Sequence, residues 1–275
     1  MNFKAWKYSR LIALILVTNL PILAEEDKTV IFKNDAKYSG TDDTYVKKGS
    51  SFSGGMSNFG ACEIMLVNET TKIGLIRFDV SSLFKKYKKI TSITLRIFSK
   101  NAPKDGSIKV HRLSIANSGW REGGSYGSPQ IGKNRHEVTW MHLVDYGGFP
   151  LPPPSWASRT AGPTSPGVDF DKVVLGSNKN STSQIKGPFD INFKGDLTAL
   201  IDDWSLASPI FKLKDKGENP CWTADWNWSQ PAAETANEGL LLKGSDGTIH
   251  EFYTSETKDL SLRPQLIIKY KPREK

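Results

Sequence analysis

Cysteine, histidine and long apolar runs are all scarce in this chain, and each scarcity removes a class of function. Two cysteines in 275 residues, Cys62 and Cys221, are too few for a disulfide-built miniature scaffold or a cysteine-rich zinc site. The four histidines, His111, His136, His142 and His250, lack metal-ligand spacing, and no nucleophile elbow or glycine-rich phosphate loop is present. No local motif therefore marks an enzyme. A polysaccharide lyase working through scattered Tyr, His and Arg would leave none, and it stays as the minor alternative. No dense Lys/Arg block interleaved with aromatics appears, which argues against nucleic acid as a partner. Acid is missing entirely before Glu25.

That last absence frames the one long apolar run, Leu11 to Ala24, preceded by Lys4, Lys7 and Arg10. A basic start, an apolar stretch short for a bilayer and a small residue before a polar segment read as a signal peptide over residues 1–24. An uncleaved anchor helix is the alternative. No cysteine at the expected cleavage point accepts a lipid, so the expected product is a secreted, extracellular or periplasmic protein without a membrane segment. Cleavage removes three basic residues and no acid, taking the formal charge from +8 to +5. Mild positivity suits an anionic partner such as an acidic polysaccharide, and equally suits plain solvation. In an oxidising compartment Cys62 and Cys221 can form a disulfide.

After residue 28 the chain shows short runs of period two broken by Gly, Asn, Ser, Asp and Pro, the pattern of an antiparallel β protein. Strands are predicted over Thr29 to Lys33, Thr44 to Lys48, Glu63 to Val67, Lys72 to Val80, Ser92 to Lys100 and Ser107 to Leu113. Three more follow at Glu238 to Lys243, Ile249 to Thr254 and Pro264 to Tyr270. In Ser92 to Phe98, Ile93, Leu95 and Ile97 alternate with Ser92, Thr94 and Arg96, so one face is core and the other wet. Asp196 to Trp204 breaks the rule: Leu197, Leu200, Ile201 and Trp204 make the stripe of a short amphipathic helix. Residues 117–184, with Pro150, Pro152, Pro153 and Pro154, read as an irregular insertion that cannot supply central strands. Early and late strands need each other to bury a core. The prediction is a single all-β domain over 25–275, a jelly-roll-like antiparallel sandwich with long loops and one short helix.

Several segments resemble, in order, the DNRLRE domain, which overlaps family 96 of the carbohydrate-binding modules and the disaggregatase-related proteins. They are Asp43-Thr44-Tyr45-Val46, Asn58-Phe59-Gly60, Ile76-Arg77-Phe78-Asp79-Val80-Ser81-Ser82-Leu83, Gly119-Trp120, Val138-Thr139-Trp140, Asn237-Glu238-Gly239-Leu240 and Arg263-Pro264-Gln265-Leu266. The resemblance implies a secreted, non-catalytic sugar-binding sandwich, with alginate as one ligand type and a separate polysaccharide-degrading enzyme as a companion. The stretch Asn219 to Thr235 looks like additional material.

An anionic glycan calls for Lys and Arg against its carboxylates and an aromatic against its apolar face. Candidate binding residues are Lys47, Lys48, Lys72 and Arg77, together with Tyr253 and the Trp226 and Trp228 pair, whose spacing of two places both indoles on one side of an extended segment. Arg77, Arg96, Lys109 and Lys269 point away from the core side of their strands, and the plain alternative is that they keep the surface solvated. Trp120, Trp140 and Trp204 read as core or loop-pinning residues, and Glu256 and Arg263 as an ion pair pinning the last turn. No cofactor is expected. A structural Ca²⁺ is open, with Asp42 and Asp43 as candidate ligands. A structural matrix protein lacking any sugar site is the second reading.

Overall fold

The computed structural model describes residues 26–50, 55–101, 106–127, 137–141, 156–179, 187–206, 237–245 and 248–274. The leader, the proline patch, Cys221, Trp222, Trp226 and Trp228 lie outside them. Among the described residues the strands are β1 Lys28–Phe32, β2 Thr41–Lys47, β3 Ile64–Val67, β4 Lys72–Phe78, β5 Tyr87–Asn101, β6 Ser107–Leu113, β7 Phe170–Lys179, β8 Gly187–Asn192, β9 Leu240–Gly244, β10 His250–Tyr253 and β11 Gln265–Pro272. Sheet I runs β1-β11-β5-β10-β3, with β8 on the other edge of β5, and sheet II runs β2-β4-β9-β6-β7. The strand pairs are antiparallel. This is the all-β sandwich that the period-two pattern predicts.

Alternation explains the central core. Ile93, Leu95 and Ile97 of β5 meet Ile76 and Phe78 of β4 and Leu240 and Leu242 of β9 between the sheets, all buried, while Arg96 on the opposite face of β5 is partly exposed. The helix, α1 Leu197–Leu206, buries Leu200, Ile201 and Trp204. Asp196 caps it, its carboxylate accepting the Ala199 N–H at 3.0 Å.

Two findings depart from the sequence reading. The stretch read as irregular contains β7, an edge strand of sheet II, and it covers that sheet. Ile73 and Leu75, on the outer face of β4, pack with Val46, Leu241 and Phe170 under Trp120, Trp140 and Trp156 in a second buried cluster. Irregular backbone can be buried only if its polar groups are satisfied, and buried side chains do this. The Asn58 amide donates to the carbonyls of Glu122 and Val138 at 2.6 and 2.9 Å. Asp169 accepts the N–H groups of Ser158 and Ser165. Gly162, with φ of +78°, passes so close to Trp140 that a Cβ would lie 2.4 Å from the indole; only glycine fits there.

The two long sides of the sandwich differ. On one, β7 and β8 are stitched across the sheets by Asn178 donating to the Asp190 carbonyl at 2.7 Å and the Lys194 N–H donating to Leu175 at 2.7 Å. On the other, the edge strands β2 and β3 leave a groove.

Candidate functional site

The groove has a volume of about 580 Å³. Tyr45 of β2 and Leu66 of β3 form its apolar wall, with Tyr126 at the rim and Glu63, Glu256 and Lys258 around it. Tyr126 is 77% exposed, unusual for a residue with that much apolar surface, whereas Tyr45 is fixed by stacking on Phe59 at 4.3 Å. The site thus joins one rigid ring and one open ring.

Period two along β2 puts Asp43, Tyr45 and Lys47 on one face. Lys47 stands directly opposite Lys72 of β4, and Lys48 follows, its N–H donating to the Thr71 carbonyl at 2.8 Å. The turn that presents Lys72 is built by Asn68, whose Oδ1 accepts the N–H groups of Thr71 and Lys72 at 2.8 and 2.9 Å. Three of the predicted lysines, Lys47, Lys48 and Lys72, are therefore brought together at the end of the β2–β4 pair, where Lys47 is two residues along β2 from the groove residue Tyr45, although none of the three lines the groove itself. Like charges directly opposite on neighbouring strands repel, and among the described residues none of the three forms an ion pair.

The other end is acidic and buried. Asp43 accepts the Ser255 N–H at 2.8 Å, and its own N–H donates to Glu122 at 2.9 Å. Burial pushes the Asp43 carboxyl up to about 7, with the charges of Glu256 and Asp42 adding to the shift and the Ser255 N–H opposing it. Glu122 is likewise held well above the carboxylate range, by burial and then by Asp43.

Several sequence expectations are corrected. Arg77 is not a free sugar contact: its side chain is 16% exposed because the face it occupies is covered. Its guanidinium donates to Asp42 at 2.6 Å and to the carbonyls of Ser118 and Trp120, and it lies 4.6 Å from the Trp120 ring centre. Arg77 holds the covering segment down. Asp42 and Asp43 do not converge on an ion: they leave opposite faces of β2, one paired with Arg77 and the other buried against Ser255. Among the described residues no group of three His, Cys, Asp or Glu is arranged to hold a metal. The four outward cations split between sheets, Arg96 and Lys269 on sheet I and Arg77 and Lys109 on sheet II. Arg96 makes a two-pronged pair with Asp190, 2.7 Å each.

Arg263 pins the last turn through the carbonyls of Thr257 and Asn34, not through Glu256, which faces the groove. Tyr253 lies opposite Ile64, next to a lining residue but outside the lining itself. Trp120, Trp140 and Trp204 are buried, as read. Cys62 lines the groove, and burial raises its thiol; its predicted partner Cys221 lies outside the described residues. Tyr126 was missed because it sits in irregular sequence with no periodicity to place it.

Residues 34–125 match the family model of carbohydrate-binding module family 96. This span carries β2 to β6 and every lysine of the cluster, stops one residue short of Tyr126, and agrees with the resemblance drawn from the sequence over those residues; the resembling segments after residue 125 lie outside the match. No curated protein matches the chain.

Proposed function

We propose that the chain is an exported, non-catalytic module that binds an acidic polysaccharide of the alginate type, in the groove between β2 and β3 and on the lysines at its end. The observation that carries this reading is the facing, unneutralised pair Lys47 and Lys72 beside a groove with an exposed tyrosine at its rim. A uronate chain lying along β2 offers carboxylates to Lys47, Lys48 and Lys72 and an apolar sugar face to Tyr126. It also relieves the repulsion between the two opposed cations. The family match supports a sugar ligand, and the lysine cluster supports an anionic one. The leader-like segment supports export, which N-terminal sequencing of secreted protein checks by finding Glu25 first.

Affinity electrophoresis through gels containing acidic or neutral polysaccharide tests the reading. Retardation by the acidic polymer is expected, weakening steeply towards 1 M salt, where the screening length is about 3 Å. Lys47→Gln and Lys72→Gln each remove a charge-assisted contact of roughly 1–2 kcal/mol at a partly wet surface. Retardation by neutral polymers alone, insensitive to both substitutions, would move the site elsewhere. Retardation by none would favour a structural extracellular role.

A further inference from the structure

A second cationic site lies on the outer face of sheet II, away from the groove. Lys109 of β6 and Lys243 of β9 stand directly opposite each other, the same like-charge arrangement as Lys47 and Lys72. Here a third cation, Lys172 of β7, joins them around a cavity of about 280 Å³. Glu69 is the single acid in its lining, and among the described residues none of the three lysines forms an ion pair. Two of them lie against packing neighbours. The Lys243 ammonium lies 5.5 Å from the ring centre of Phe170, and the stem of Lys172 lies over Gly167, where a Cβ would stand 2.8 Å from its Cε. His111 closes the floor, edge-on to Phe170 at 4.9 Å, with Nδ1 donating to the Asp171 carbonyl at 2.9 Å.

We infer that this cavity is a binding site for a sulfate or phosphate ester group. Three ammonium groups converging from three strands against one carboxylate leave an excess of positive charge. Lysine presents a point charge with rotatable donors, and a tetrahedral ester group offers three terminal oxygens, one to each of the three ammonium groups around this single small cavity. The cavity lies near the lower end of small-ligand sites and so takes one substituted sugar unit or a free ion. Burial acts to lower the Lys243 ammonium, with Glu69 opposing it and the Lys109 charge adding to it, and burial does the same to His111, with the Asp171 carbonyl opposing it and Lys243 and Lys109 adding to it. An anion in the cavity relieves both lysine-borne effects.

The test is titration of the purified chain, at fixed ionic strength, with inorganic sulfate, inorganic phosphate, a sulfated monosaccharide and the same monosaccharide unsulfated. Calorimetry gives affinity and the His111 ring resonances report occupancy. The sulfated sugar is expected to bind and to move the His111 resonances, and its parent sugar to do neither. Lys109→Gln and Lys243→Gln should each weaken binding about tenfold, the equivalent of one charge-assisted contact, with thermal melts confirming the fold. Lys269→Gln, on sheet I, should leave it unchanged. Inorganic phosphate or sulfate binding more tightly than the sulfated sugar, with the same variant pattern, makes a free ion the occupant. Equal binding of parent and sulfated sugar, or equal losses from Lys269→Gln and Lys243→Gln, overturns the inference. Groove variants that abolish polysaccharide retardation while this titration is unaffected keep the two sites separate.

Discussion

The outer faces of the two sheets carry arginines in the same pattern position and use them in opposite ways. On sheet I, Arg96 pairs with Asp190 across β5 and β8, with more than a third of each side chain exposed. On sheet II, Arg77 is nearly enclosed, stacked on Trp120 and bonded to the carbonyls of the segment that covers it. What differs is the company each keeps. Arg96 shares its face with Ser92 and Thr94, which are partly exposed, whereas Arg77 shares its face with Ile73 and Leu75, which are fully buried. A strand apolar on both faces is covered on both faces, and a cation within it is a clamp rather than a contact for ligand.

The comparison breaks most visibly at the cover itself. Trp156→Ala removes a side chain that is 1% exposed and donates to the Trp140 carbonyl at 3.1 Å, so a loss of about 3–5 kcal/mol is expected in denaturant unfolding. A loss below 1 kcal/mol would mean the cover contributes little to the fold.

The next effect concerns the acids where the cover meets β2. A carboxyl raised in the folded state binds its proton more tightly there than when unfolded, so it favours folding below the unfolded value and withdraws that support as pH rises through the folded one. For Asp43, moved from 3.8 to about 7, and for Glu122, moved in the same direction, this predicts stability falling between about pH 4 and 7. Asp43→Asn should flatten the fall in thermal melts across that window. An unchanged slope would show that the pair does not titrate with folding.

The smallest effect is the direct contrast of the arginines. Arg77→Ala loses hydrogen bonds of a largely buried charged group and strands Asp42, for an expected cost of about 1.5–3 kcal/mol. Arg96→Ala breaks a half-wet pair and should cost less than about 1 kcal/mol. Equal costs would remove the distinction between clamp and surface pair.

Much of this was legible in the sequence. Ser107 to Leu113 is a strand over the residues predicted, and the stripe of Leu200, Ile201 and Trp204 forms the helix its spacing implies. The strand β7 escaped notice because an edge strand pairs on one side only and tolerates polar residues: Lys172, Gly176 and Ser177 interrupt the short apolar run Val173 to Leu175. The cover over sheet II follows from no local pattern, because it is organised by single buried residues such as Asn58, Asn117 and Asp169 reaching across tens of positions. Its one sequence signal was the double-sided apolarity of β4. At the site, Lys47, Lys48 and Lys72 are close in sequence or joined through one pairing and could be grouped, whereas Lys109, Lys172 and Lys243 come from three distant strands and meet only in the folded sheet.

The pairing of β5 carries a further consequence. This 15-residue strand, the most regular apolar element of the chain, is flanked along one edge by β11 and β10, which the ribosome supplies some 150 residues later. Until then its inward row of Ile93, Leu95 and Ile97 has no lasting partner on that side, and contacts so distant in sequence close slowly. A nascent chain in that condition exposes an unpaired apolar edge and is prone to stick to its neighbours. For the same reason residues 34–125, cut out alone, would expose both the β5 edge and the β4 edge that β9 protects; a fusion or transplant of the groove has to carry the whole sandwich.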